Sequence, residues 1–166
     1  MYNQNQHDIL TYARHIIDHG LPPGILMIDD NWQRYYGNFD FKCERFPNPR
    51  AMVDSLHRQG FKVMLWISPF VTADSPEYRA LAKQGLLLRD ATGNPAIIPW
   101  WNGQSACFDL TNPSALDYLE HTLRGMMRDY AIDGFKFDGG DNIYYDRADL
   151  RPYRKDARSV DQTKGW

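Results

Sequence analysis

Three short apolar runs, kept apart by helical patterns, set the tightest limit on what this chain can fold into. The runs are GILMID (24–29), FKVMLWIS (61–68) and DGFKFD (133–138). They are rich in Ile, Leu, Val and Phe, as strands covered on both faces tend to be. A helical pattern runs from about Gln6 to His19, with Ile9, Tyr12, Ala13, Ile16 and Ile17 on one face and Gly20 as its stop. Asn48-Pro49 opens NPRAMVDSLHRQG, Ser75-Pro76 opens the shorter SPEYRALAKQG, and Asn112-Pro113 opens NPSALDYLEHTLRGMMRDYA. In each, the cap side chain accepts from an otherwise unpaired amide, and proline at the first helical position sacrifices no bond. Alternation of this kind predicts a parallel sheet with right-handed crossovers.

Two architectures satisfy that order: an open doubly wound sheet, or part of a (β/α)8 barrel. No Gly-rich phosphate loop follows the first strand, which argues against nucleotide binding. Polar and aromatic residues sit instead at the carboxyl ends of all three strands: Asp29, Asp30 and Trp32, then Trp66 and Ser68, then Lys136 and Asp138. Barrel enzymes place their sites at that end. A whole barrel takes about 250 residues, whereas this chain has 166 and three strands. The expectation is one α/β domain over 1–166 that forms part of a (β/α)8 TIM barrel, with 142–166 as a loop tail.

Function candidates follow from the strand ends. In GFKFDGGD (134–141), alternation sends Phe135 and Phe137 to one face and Lys136 and Asp138 to the other. A lysine at that distance favours an ionised carboxylate, and a positioned carboxylate is a competent nucleophile. A structural ion pair at a sheet edge fits the same spacing equally well. Gly139 and Gly140 let the backbone turn away without crowding a ligand. Of Asp29 and Asp30, one should point inward, where it would accept from substrate hydroxyls. An Asx turn or helix cap is the competing reading. Trp66 suits a sugar platform or the barrel core, and Trp32 a pocket floor or loop packing. Trp100 and Trp101, in the loop-like PWWNGQSA (99–106), cannot both pack on one core face and point to a binding rim.

Composition removes several classes of partner. Aromatic content is high at 14%, including five tryptophans, and net charge is −2. That balance gives no reason to expect nucleic acid or an anionic membrane. No apolar run approaches a membrane span. Cys43 and Cys107 lack metal-ligand spacing, and Cys107 reads as a small packed hydrophobe. All five histidines fall on or beside predicted helices. The middle strand contributes no carboxylate between the two that do, which counts against a Mg²⁺-dependent lyase. No cofactor or metal is expected.

Taken in order, IDDNW, RFPNPRAMVDSLHRQGFKVMLWISPFV, SPEYRALAKQGLLLRDATGNP, DLTNPSALDYL and DGFKFDGGD resemble glycoside hydrolase family 31, the α-glucosidase and α-xylosidase family, over roughly residues 24–141. A more distant similarity is to the related α-galactosidase families. The resemblance implies a (β/α)8 barrel and retaining hydrolysis of α-linked glucosides or xylosides. Asp138 matches the nucleophile, Lys136 the lysine that contacts nucleophile and sugar, and Trp66 an aromatic wall of the sugar subsite. Asp29 matches a hydroxyl-binding aspartate, with Asp30 as its one-residue alternative, and Trp100 and Trp101 match rim aromatics. The family's acid/base lies further along, so the chain is expected to carry strands two to four and the nucleophile half of a site, with little turnover alone. Such a piece would leave two sheet edges open, and a homo-oligomer is expected to cover them. The competing function is a non-catalytic carbohydrate-binding domain.

Overall fold

A computed structural model describes residues 3–154. In chain order the elements are α1 (Gln6–Asp18), β1 (Ile25–Ile28), α2 (Pro49–Arg58), β2 (Lys62–Ile67), β3 (Phe70–Thr72), α3 (Pro76–Gln84), β4 (Ile98–Trp100), β5 (Gly103–Cys107), α4 (Pro113–Tyr130), β6 (Gly134–Phe137) and a 3-10 turn, Asn142–Tyr144. They divide into two compact units. The first holds residues 3–34, 39–67 and 122–137, and the second holds 35–38, 68–121 and 138–154. The chain passes from the second unit back into the first within α4.

Helix starts follow the cap chemistry. The side chains of Asn48 and Ser75 accept from the amides of Ala51 and Tyr78, at 3.1 and 3.0 Å. Asn112 accepts from Ser114 at 3.0 Å. Asn5, which heads α1, does the same for Asp8 at 3.0 Å.

In the first unit the three anticipated strands pair in parallel, in the order β1-β2-β6. Ile28 stands opposite Leu65, and Leu65 opposite Phe135. Alternate residues Leu26, Ile28, Val63, Leu65 and Ile67 form one buried face, against which Phe135 packs. Ile9 and Ala13 from α1, Met52, Val53 and Leu56 from α2, and Met126 from α4 cover that face. Each large aliphatic side chain buried there contributes about 1.5–3 kcal/mol. Phe137 shares the parity of Phe135 but is 75% exposed, so only one of the two phenylalanines joins this core. The other face of the sheet carries Met27, Met64, Trp66 and Lys136.

Asp133 fastens β6 to β2. Its amide donates to the Val63 carbonyl at 2.9 Å, and its Oδ2 accepts from the Val63 amide at 2.8 Å. His57 and Lys62 reach the same carboxylate at 2.7 and 3.1 Å.

The second unit contains an antiparallel sheet, order β3-β5-β4, that the sequence patterns do not anticipate. Residues 99–106 are a hairpin rather than a loop: Trp100 pairs with Gly103, leaving Trp101 and Asn102 as the turn. Pro99 has no amide to donate and lies on the edge strand, where its missing bond costs least. The expected loop tail is partly structured, since it opens with the 3-10 turn and Arg151 bridges to Arg89. The remainder of that expectation, 155–166, lies outside the described residues. Among the described residues, no helix is long and apolar enough to cross a membrane.

Candidate active site

Strand register brings three of the candidate residues to one face of the parallel sheet. Trp66 stands opposite Lys136, and Asp29 directly follows Ile28, whose partner is Leu65. Asp29, Trp66 and Lys136 therefore form one layer at the carboxyl ends of the strands: Asp29 directly follows β1, and Trp66 and Lys136 are the penultimate residues of β2 and β6. Lys136 Nζ lies 3.6 Å from Asp29 Oδ1, with the two side chains 40% and 49% exposed. A pair this open contributes only about 0–1 kcal/mol to stability. Its charged atoms remain in reach of a polar ligand.

Local bonds fix the β1 end. Gln4, itself buried, donates through Nε2 to the carbonyls of both Asp29 and Asp30. Asp29 Oδ1 accepts from the Asp30 amide at 2.9 Å, and Asp30 Oδ1 from the Asn31 amide at 2.6 Å. Lys42 donates to Asn31 Oδ1 at 3.1 Å. Burial, with Arg45 nearby, holds the Lys42 ammonium below the ordinary lysine range. Of the adjacent aspartates, Asp29 is the one beside Lys136. No sequence signal marks Gln4, because nothing in MYNQNQ shows which glutamine folds back on the strand.

The tryptophans have different environments. Trp32 is fully buried, donates to the Trp66 carbonyl at 2.7 Å and packs on Phe41 at 4.9 Å, so it is core and not a pocket floor. Trp66 is 1% exposed, so its indole lies against protein rather than open to solvent. Of Trp100 and Trp101, both expected at a binding rim, only one ring is exposed. Trp100 is buried, stacked on Phe70 at 4.2 Å and edge-on to Tyr36 at 4.7 Å, with Nε1 donating to Ser105 Oγ at 3.1 Å. Trp101, at the hairpin turn, is 49% exposed and meets Tyr144 edge-on at 5.7 Å. Strand alternation turns the first ring inward, and the turn releases the second.

Asp138 begins the next segment of the second unit. Its Oδ1 accepts from the Gly139 amide at 2.8 Å. Gly139 has φ +76°, and a Cβ there would fall 2.8 Å from Phe70 Cε2. Its carbonyl accepts from the Tyr145 hydroxyl at 2.8 Å. Tyr145 is not foreseeable from the sequence, where YY (144–145) carries no pattern. Among the described residues, no three His, Cys, Asp or Glu side chains gather as metal ligands would.

A parallel α/β sheet with helices on one face and polar residues at its strand ends is the architecture of a TIM-barrel glycosidase domain. The family model of the glycosyl hydrolases family 31 TIM-barrel domain matches residues 1–164, and the chain belongs to that family. Among its relatives, a "myogenesis-regulating glycosidase" from Mus musculus is 36% identical over 151 residues, which is 90% of this chain and 21% of that protein. The α-xylosidase XylQ of Lactiplantibacillus pentosus is 27% identical over 143 residues, 84% of this chain and 18% of that protein. A crystal structure of a family 31 α-xylosidase from a soil metagenome, complexed with xylose, superposes with a TM-score of 0.81 at 26% identity. That match covers 90% of this chain and 22% of the other. The chain thus spans about a fifth of the length of these relatives.

Proposed function

We propose that this chain supplies the nucleophile half of a retaining α-glycosidase acting on α-linked glucosides or xylosides. The observation that carries the reading is the Lys136–Asp29 pair at the strand ends, 3.6 Å apart and open to solvent, with Asp138 two residues further along from Lys136. Family membership supports it, as does the similarity to α-xylosidases. The Asp138 carboxylate attacks the anomeric carbon from the face opposite the leaving group. The glycosidic C–O bond breaks, and the departing oxygen takes a proton from a general acid. Water then cleaves the glycosyl ester, and the two inversions restore the α configuration. Asp29 accepts from sugar hydroxyls, Asp30 is its alternative, and Lys136 donates to them. The resemblance also assigns Trp66, Trp100 and Trp101 to sugar binding, and of these Trp101 presents an open ring.

No residue of 1–166 is assigned the acid/base role, which the resemblance places further along a family 31 chain. Residues 1–166 alone are therefore proposed to turn over little substrate. Trapping the full-length protein with a 5-fluoroglycosyl fluoride tests the assignment, and the expected label is on Asp138. The exposure of Trp101 favours one other reading, a carbohydrate-binding domain without catalysis. Under that reading Asp138→Asn leaves sugar binding unchanged, and no label forms.

A further inference from the structure

We propose that Tyr145 is a positioning residue for the proposed nucleophile: its hydroxyl pins the Gly139 carbonyl and so holds the turn that presents an amide to Asp138. The inference rests on the assignment of Asp138 above, and it concerns a side chain that touches no reacting atom.

Both peptides that meet at the Gly139 Cα are tied. The one on the amino side gives its N–H to Asp138 Oδ1 at 2.8 Å. The one on the carboxyl side gives its carbonyl to the Tyr145 hydroxyl, also at 2.8 Å. The φ of +76° between them is a conformation that glycine adopts without strain. Phe70 and Pro69 fill the space beside the same Cα, where a Cβ would meet their side chains at 2.8 and 3.4 Å. The turn is thus held by packing on one side and by one hydroxyl on the other. Without that hydroxyl, the buried Gly139 carbonyl loses its partner, and the turn is driven toward any arrangement that finds another. The amide at Asp138 moves with it.

The donor itself is constant. Tyr145 is 5% exposed, and burial, followed by the neighbouring Cys107 thiol, pushes its phenol far above the ordinary tyrosine range. The buried Cys107 thiol lies 4.0 Å from the hydroxyl and is pushed up to about 12, so it too stays neutral. The Phe108 carbonyl, at 3.3 Å, is the nearer acceptor for the thiol hydrogen. The Tyr145 phenol therefore keeps its proton at neutral pH and donates it to the Gly139 carbonyl.

Tyr145→Phe removes the bond and keeps the ring. In the full-length protein carrying this chain, the rate of covalent trapping at Asp138 by a 5-fluoroglycosyl fluoride should fall about tenfold or more, as displacement of a reacting group does. KM should change little, and amide exchange of the peptide containing Gly139 and Gly140 should accelerate. Cys107→Ala loosens the same pocket without touching the bond, and it should trap within about twofold of wild type. Trapping of Tyr145→Phe at the wild-type rate overturns the proposal, and so does an equal loss in both variants, which would make the effect one of packing. If wild type itself takes no label on Asp138, the glycosidase reading falls. Amide exchange then decides the positioning claim alone: faster exchange in Tyr145→Phe sustains it, and unchanged exchange ends it.

Discussion

Gly139 shows how much a single residue in the GFKFDGGD segment constrains. From the sequence, both glycines look like places where the backbone turns away from a ligand. In the structure they differ. Gly139 has positive φ and a Cβ on it would run into Phe70 and Pro69, whereas a Cβ on Gly140 would meet nothing within 4 Å. Gly139→Ala should cost about 2–4 kcal/mol, combining left-handed backbone strain with overpacking. Gly140→Ala should change stability by no more than about 0.5 kcal/mol. Urea unfolding of the two variants measures the contrast, and equal costs would show that the turn does not lean on Phe70. At this scale the sequence was legible wherever alternation decides the face, as for Lys136 and Phe135, but it does not choose between the adjacent Asp29 and Asp30. It was not legible where a neighbour in space decides. Nothing in PWW says that Trp100 is the buried ring, and nothing in YY says that Tyr145 reaches the Gly139 carbonyl.

At the level of elements, cap chemistry and apolar runs located the four helices and the three parallel strands found among the described residues, because those signals are local. The antiparallel sheet escaped, because β3, β4 and β5 are only three to five residues long, β4 contains Pro, and β5 contains Gly and Ser in place of alternating apolar residues. Their stability comes from pairing across tens of residues, such as Phe70 with Cys107. The junction of β2 and β6 carries its own test. Burial alone would raise the Asp133 carboxyl, but the Val63 amide, His57 and Lys62 together outweigh it and hold the group below the ordinary carboxylate range. A depressed folded-state value means that this contribution is fully present above the unfolded value of about 4. It is lost as pH falls through the folded value. Asp133→Ala should therefore cost about 1–3 kcal/mol at neutral pH, since it leaves the Val63 amide without its carboxylate. The difference from wild type should shrink below about pH 4. Thermal melts across pH would contradict this if the gap stayed constant into acid.

For the molecule as a whole, the parallel sheet has only three strands among the described residues, and β1 and β6 each pair on one side. Ile25 and Phe137, on those two strands, are 67% and 75% exposed. Unpaired strand edges bearing apolar side chains template pairing with another chain. Residues 1–166 expressed alone should self-associate, with a mass in light scattering above that of one chain at micromolar concentration. A clean monomer would remove the edges as an interface. Family and fold were legible in the order of motifs along the chain. The proposed acid/base was not, because a catalytic pair is defined by the distance between two carboxylates, and the motifs quoted for the resemblance supply only the proposed nucleophile, Asp138.

The central claim is that Asp138 forms the covalent intermediate. Full-length protein incubated with a 5-fluoroglycosyl fluoride and digested should yield one modified peptide, containing GFKFDGGD, with the added mass on Asp138 and not on Asp141. A label on any other carboxylate, or slow turnover of the reagent with no covalent adduct, would contradict the account.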